Sequence, residues 1–214
     1  HALIELAEAS TVPVSVHLDH AESTDLCREA VELGFTSIMY DGSKLPDTQN
    51  RETTAEITAL AHEHGVSVEA ELGEVGGKNG VHDPSARTNP EDAAQFVADT
   101  GVDLLAVAVG SSHAMATREA VLDNQLIAAI HELVPVPLVL HGSSGVPDEG
   151  MVAAIQAGMT KINVSTHLNV VFTQGVRQIL DENPKIVDPR KYVGPATHLV
   201  QEEVERLMRL YAQA

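Results

Sequence analysis

Three histidines, His20, His113 and His141, each follow a short apolar run that reads as a β-strand. Three imidazoles with a fourth position left open are the set that a catalytic zinc ion takes, although no HxxxH or CxxC spacing ties them together locally. Asp19 stands beside His20. A carboxylate next to a cation-binding histidine stays ionised at neutral pH and can take a proton from a substrate hydroxyl; the same residue would also serve as an N-cap for the helix that follows. Two loops read as anion sites: His141-Gly142-Ser143-Ser144-Gly145 and Asn163-Val164-Ser165-Thr166 each lead into a helical pattern. Small residues let backbone N–H groups approach a phosphate closely, and the hydroxyls add donors. Glu69 and Glu71 alternate along one run and share a face, and Asp41 ends the run before it. Inside a fold such carboxylates must meet a cation or a donor, whether a metal or a structural ion pair.

The elements that would position these residues alternate regularly. Strand-like runs cover Val12 to His17 with Leu18-Asp19-His20 at the end, then Thr36 to Tyr40, Val66 to Leu72, Asp103 to Val109, Val136 to Leu140 and Thr160 to Val164. Helical patterns separate them: Ser23 to Leu33, stopped by Gly34; Asp47 to His64, closed by Gly65; a helix capped by Asn89 with Pro90 in its first position and Gly101 after its last turn; and Asp148 to Ala157. Further helices run from about Leu168 to Leu180 and Ala196 to Ala212. Near-continuously apolar strands joined by helices mean a parallel sheet covered by helices. The chemically capable residues sit at the C-terminal end of every strand. A doubly wound sheet concentrates its site at one switch point, whereas a barrel gathers residues from all strands onto one rim.

The expected fold is therefore a (β/α)8 TIM barrel, a single domain over residues 1–214 with C-terminal helices from about 168 to 214. Six βα units are visible where a closed barrel has eight. Leu3, Ile4, Leu6 and Ala7 begin a helical pattern with no cap before them, so the two remaining units are expected upstream of His1.

Along an extended strand Ser15, His17 and Asp19 point to one face, so Asp19 is expected inside the barrel. His20, one residue on, must bend back through the strand end to share that site. The formal charge of −18 and the scattered lysines leave no basic patch, which makes nucleic acid and anionic membrane poor partners. No run reaches the roughly 18 apolar residues of a membrane span. Cys27 is the one cysteine, which excludes an intramolecular disulfide and fits a reducing cytoplasm.

Taken together, Val16-His17-Leu18-Asp19-His20, Ser37-Ile38-Met39-Tyr40-Asp41-Gly42-Ser43, Val68-Glu69-Ala70-Glu71-Leu72-Gly73, Gly110-Ser111-Ser112-His113, Leu140 to Gly145 and Lys161 to Thr166 resemble the class II, zinc-dependent fructose-bisphosphate and tagatose-bisphosphate aldolases. The resemblance runs in order over essentially the whole chain. It implies that His20, His113 and His141 bind one catalytic Zn2+, that Asp19 is the proton donor or acceptor, and that Ala114, Gly142, Ser143, Ser144, Asn163, Val164, Ser165 and Thr166 hold a dihydroxyacetone phosphate unit. Asn163 would help hold the enediolate left when the C3–C4 bond breaks. Asp41 and Glu71 match positions near an alternative site for a second metal or a monovalent cation. The implied partner is a small phosphorylated sugar, and the implied assembly a dimer or tetramer of identical chains.

Two positions depart from the family pattern. Ala114 stands where relatives often have glycine, and the loop after Gly77 reads Lys78-Asn79-Gly80-Val81-His82-Asp83, shorter and less acidic than usual. Glu74, His82 and Asp83 are the alternatives for the proton-exchanging residue of that loop. A Schiff-base aldolase would need a desolvated lysine inside the barrel; Lys161 reads as lying at the start of its strand, away from the rim. A zinc hydrolase and an inactive, unclosed barrel are the remaining readings. Fructose and tagatose substrates stay open. Val200, Val204, Leu207 and Leu210 form a stripe along the last helix, which reads as core.

Overall fold

The computed structural model of the chain describes residues 1–72, 87–112, 115 and 117–212. After α1 (Ala2–Glu8), strands and helices alternate: β1 (His17–Ala21), α2 (Thr24–Glu32), β2 (Ser37–Tyr40), α3 (Asp47–Glu63), β3 (Ser67–Glu71), α4 (Pro90–Thr100), β4 (Leu104–Ala106), α5 (Asn124–Leu133), β5 (Leu138–Leu140), α6 (Asp148–Ala157) and β6 (Met159–Ile162). Two long helices, α7 (Thr166–Glu182) and α8 (Arg190–Tyr211), complete the chain. Among the described residues, no helix is long and apolar enough to cross a membrane.

The six strands form one parallel sheet in the order β1-β2-β3-β4-β5-β6. Each strand lies beside its successor, so the sheet winds one way without a switch point, as a barrel does and a doubly wound sheet does not. The sheet also curls: Lys161 on β6 reaches Glu69 on β3, and Asn163, just past β6, reaches Asp19 on β1. The α/β class and barrel curvature expected from the alternation are therefore present in a six-stranded, partly wound sheet.

Strand side chains divide by parity. Val68 and Ala70 of β3 face the helices and pack in the apolar core with Ile57, Phe96, Leu105 and Ile127, all fully buried. Glu69 and Glu71 face the other way, into the interior enclosed by the curl. Helix starts follow their caps: Ser23 accepts the N–H of Leu26, Asn89 that of Asp92, and Asp123 that of Leu126. The third of these opens α5, which the sequence pattern above does not single out.

Several boundaries differ from the sequence reading: the ladders of β4, β5 and β6 are shorter than or offset from the apolar runs that contain them, and three further starts move. β1 begins at His17 rather than Val12, because Val12 and Val14 are exposed and Pro13 between them has no N–H for a ladder. α7 begins at Thr166, two residues earlier than expected. α8 begins at Arg190 and carries Pro195 inside it, at the cost of one backbone hydrogen bond. α7 and α8 cross closely at Gly175, where a β-carbon would come 2.7 Å from Leu199 Cδ1. Glu203 of α8 bonds His167 at 2.6 Å near the start of α7, while Arg206 joins Glu203 to Asp148 at the start of α6.

Two predictions follow from these contacts. Gly142 has φ +66, and a β-carbon there would lie 2.6 Å from the Ser112 carbonyl carbon. Gly142→Ala is expected to lower the free energy of urea unfolding by more than the about 1–2 kcal/mol of a left-handed alanine alone; an unchanged unfolding curve would show that the loops give way freely. The Arg206 guanidinium, with His167, holds the Glu203 carboxyl down at about 2 from its ordinary 4.5. A depressed carboxyl stabilises the fold above its unfolded pKa and loses that contribution as pH falls through the folded one. Stability should therefore drop between about pH 4.5 and 2, and Glu203→Gln should flatten that part of a stability-against-pH curve.

Candidate functional site

The rim formed by the C-terminal ends of the strands is shaped by two irregularities in strand register. On β1, Leu18 pairs with Ile38 and Ala21 with Tyr40, so Asp19 and His20 together oppose Met39. This bulge-like insertion, with His20 at φ +49, breaks the alternation that would send consecutive residues to opposite faces. Asp19 and His20 thus share one side of the sheet, as the expected bend requires. On β6, Met159 pairs with Leu138 while Lys161 pairs with Val139. Thr160 is the extra residue, and from there Lys161 and Asn163 face the interior.

Ligand atoms of Asp19, His20 and His141 lie within 4.8 Å of one another, and those of His20, Asp41 and Glu71 form a second such group. His20 Nδ1 bonds Asp41 Oδ2 at 2.7 Å, and Asp41 Oδ1 in turn accepts the Ser43 hydroxyl at 2.6 Å. His141, wholly buried, donates from Nε2 to Glu69 Oε1 at 2.8 Å, and its Nδ1 lies 3.3 Å from Glu71 Oε2. Each of the two histidines therefore has a carboxylate at hydrogen-bond distance of one ring nitrogen, and His141 has Glu71 beside its other nitrogen as well. A carboxylate on one nitrogen is how metal-ligating histidines are oriented in general, so this donor set fits a zinc-type ion. Asp19 is the N-cap of nothing; Ser23 caps α2, and the Asp19 side chain is half-exposed at the mouth, with Asn163 Nδ2 3.4 Å from Oδ1.

Electrostatics bind the interior together. Burial alone would raise the Glu69 carboxyl, but the His141 hydrogen bond and the Lys161 ammonium outweigh it and hold the group well below the usual carboxylate range. Burial would lower His141, but its bonds to Glu69 and Glu71 raise it. His17, on the same face as Asp19, is lowered by burial against the pull of Glu69; its Nδ1 meets the Ser37 hydroxyl at 2.8 Å and its Nε2 lies 3.7 Å from Glu69 Oε2.

The two small-residue loops are joined. Gly142 takes a left-handed conformation into a 3-10 turn, Ser143–Gly145. The Ser143 hydroxyl donates to the Asn163 carbonyl, and Ser144 Oγ accepts the His167 N–H at 3.0 Å. Val164, Ser165 and Thr166 therefore run beside Ser143 and Ser144, with the start of α7 adjacent to the 3-10 turn. The Ser143 proton is spent between the loops, whereas Ser144 keeps its own to donate. His113, Ala114 and the loop residues Glu74, His82 and Asp83 lie outside the described residues. Ser112, preceding His113 in the chain, is buried with its backbone against Gly142.

The structure brings Asp19, His20, His141, Asp41, Glu71 and Asn163 to one rim. It also corrects the placement of Lys161, which lies inside the curl with Nζ 2.7 Å from both Glu69 Oε2 and Asn163 Oδ1. Glu69, read from the sequence as an inward carboxylate without a site role, and His17 and Lys161 are the further interior residues. Their alternation with Glu71, Asp19 and Asn163 is the signal that places them; where the count runs instead from the start of β6, the bulge at Thr160 hides it for Lys161.

Comparison with known proteins identifies the family. The sequence profile of the family described as "Fructose-bisphosphate aldolase class-II" matches residues 1–214. The fructose-bisphosphate aldolase of Staphylococcus epidermidis is 41% identical over 201 residues, covering 93% of this chain and 70% of that protein. That of Geobacillus stearothermophilus is 40% identical over 206 residues, covering 95% and 72%. The crystal structure of the YdjI aldolase from Escherichia coli K12 superposes with a TM-score of 0.84 at 33% identity, over 99% of this chain and 74% of that one. On motif order, geometry and likeness alike, the chain belongs to the class II fructose-bisphosphate aldolase family, a family of lyases.

Proposed function

We propose that this chain is a zinc-dependent aldolase that reversibly cleaves a ketose 1,6-bisphosphate, with fructose 1,6-bisphosphate as substrate, to dihydroxyacetone phosphate and glyceraldehyde 3-phosphate. The observation that carries the proposal is the pair of rim histidines, each with a carboxylate at hydrogen-bond distance of a ring nitrogen, grouped with the half-exposed Asp19. His20 and His141 would hold the ion, with His113 as third ligand and Asp41 and Glu71 available to a second metal or monovalent cation. A zinc ion held there would supply Lewis-acid polarisation of the ketose carbonyl.

The chain's own residues supply the rest. Asp19, at the mouth, removes the proton of the C4 hydroxyl in cleavage and returns it to the aldehyde oxygen in condensation. Asn163 turns its Nδ2 donors toward the same space, where they can hydrogen-bond the oxygens of an enediolate. The joined loops, Gly142 to Ser144 and Asn163 to Thr166, would hold the phosphate of the triose half through backbone N–H groups and the Ser144 hydroxyl, with Ala114 beside them. The partner is then a small phosphorylated sugar. The working form is a dimer or tetramer in the cytoplasm, which light scattering of the purified chain tests.

Cleavage of fructose 1,6-bisphosphate should require zinc, disappear with EDTA and return when zinc is restored; cleavage indifferent to EDTA would overturn the metal reading. Tagatose 1,6-bisphosphate in the same assay decides between the two epimers. Asp19→Asn should lower kcat by roughly 10²–10⁴-fold, the usual worth of a general base, with zinc still bound. His20→Ala and His141→Ala should lose zinc itself. Retention of stoichiometric zinc by both histidine variants would place the ion elsewhere.

A further inference from the structure

Lys161 joins the metal-binding and substrate-facing halves of the site directly, through one hydrogen bond to each. Its Nζ lies 2.7 Å from Glu69 Oε2, whose other oxygen holds His141, and 2.7 Å from Asn163 Oδ1, whose amide nitrogen faces Asp19. We propose that Lys161 is a positioning residue: one ammonium orients both the Asn163 carboxamide and, through Glu69, the His141 imidazole. This inference rests on the aldolase reading above for its consequences in catalysis, and on the chain's own geometry for its substance.

The argument starts from what an ammonium can do. It has three donors and no acceptor, so the group that Asn163 presents to it must be the amide oxygen. The Asn163 NH2 is then forced toward the mouth, where it finds Asp19 Oδ1. Reversed, the carboxamide would put NH2 against the ammonium and its oxygen against a carboxylate, a mismatch at both ends. The same logic runs through Glu69. A carboxylate accepts only, so Nε2 of His141 must be the donor in that pair, and the ring is thereby turned with Nδ1 toward Glu71. Glu69 is fully buried, and a buried carboxylate keeps one orientation only if both oxygens are engaged by well-placed donors. Lys161 engages the second oxygen at 2.7 Å, and the bulge at Thr160 is what turns its stem inward.

Glu69 lies outside the phosphate loops. Asn163 begins one of them, but it turns its carboxamide to Lys161 and Asp19, while the loop would meet phosphate through its backbone. Removal of Lys161 should therefore act on metal affinity and on kcat more than on substrate affinity. In the full chain, Lys161→Met should weaken zinc binding, read by competition with a chromophoric chelator, by about 10–100-fold, the usual loss when a group orienting a metal ligand is removed. The kcat for fructose 1,6-bisphosphate, at saturating zinc, should fall at least about tenfold while KM stays within about threefold, and Lys161→Arg should recover most of both losses. In the zinc-free protein, nitrogen-15 NMR should show the His141 ring and the Asn163 side-chain amide shifted by Lys161→Met. A merely structural role would move none of these without also lowering the thermal midpoint of Lys161→Arg.

If Lys161→Met fails to fold, Glu69→Gln combined with Lys161→Met removes the buried carboxylate with its cation and should fold, yet keep the kcat loss. Zinc affinity, kcat and both NMR signals unchanged in a folded Lys161→Met chain, or full activity in the double variant, would overturn the inference. Failure of the unaltered chain to bind zinc would instead sink the aldolase reading, leaving the NMR comparison to decide on Lys161 by itself.

Discussion

A carboxylate with no exposure to solvent stands at the centre of this molecule. Glu69 faces the interior of the curled sheet, where an ion brought out of water costs several kcal/mol unless its partners are close and well directed. It is met by His141 from β5's end and Lys161 from β6, with His17 of β1 nearby. Strands that are not neighbours in the sheet are thereby held at fixed distances across the interior. The pairs also set which atoms point to the mouth, because acceptor-only and donor-only groups leave no choice of orientation. The curl of the sheet and the aim of the rim residues therefore have a common physical origin.

The legibility of this fold from its residues differs from element to element. α4 could be read almost to the residue, since Asn89, Pro90 and Gly101 each do one thing that only a helix end needs. β3 could be read with its faces assigned, because Val68, Glu69, Ala70 and Glu71 alternate without interruption. β1 could not: Val12 and Val14 look like strand residues, yet they lie exposed ahead of the ladder, and nothing local distinguishes apolar residues that meet a sheet from those that do not. The first six residues of α8 were hidden by Pro195, a residue that ordinarily marks a boundary and here sits within the helix, while the rest was read from Ala196 onward.

The site was legible in the same uneven way. His20, His141 and Asp19 stood out because they are reactive types at strand ends. Lys161 did not, because its side-chain direction depends on counting two residues per pleat, and one extra residue at Thr160 reverses the count. The same kind of insertion at Asp19 and His20 worked in favour of the sequence reading, since bringing both to one rim demanded a bend there. Bulges are invisible to periodicity yet decide which face a residue serves. Reading the interior of a parallel sheet therefore depends less on residue type than on knowing where its register slips.

Charge poses a last problem for the reaction proposed. The chain carries a formal charge of −18, and a bisphosphate approaching it meets a repulsive field at long range. Screening over about 8 Å at physiological ionic strength weakens that repulsion, so recognition must be achieved by short-range donors at the rim. The cradle between Gly142 and Thr166 offers such donors without side-chain cations: backbone N–H groups, the Ser144 hydroxyl and the start of α7. Lys161 adds no attraction for phosphate, because its charge is already spent on Glu69 and Asn163. For the reaction proposed, an ion held between His20 and His141 would supply the compensating positive charge at the reacting end, adding an electrostatic role to its chemical one.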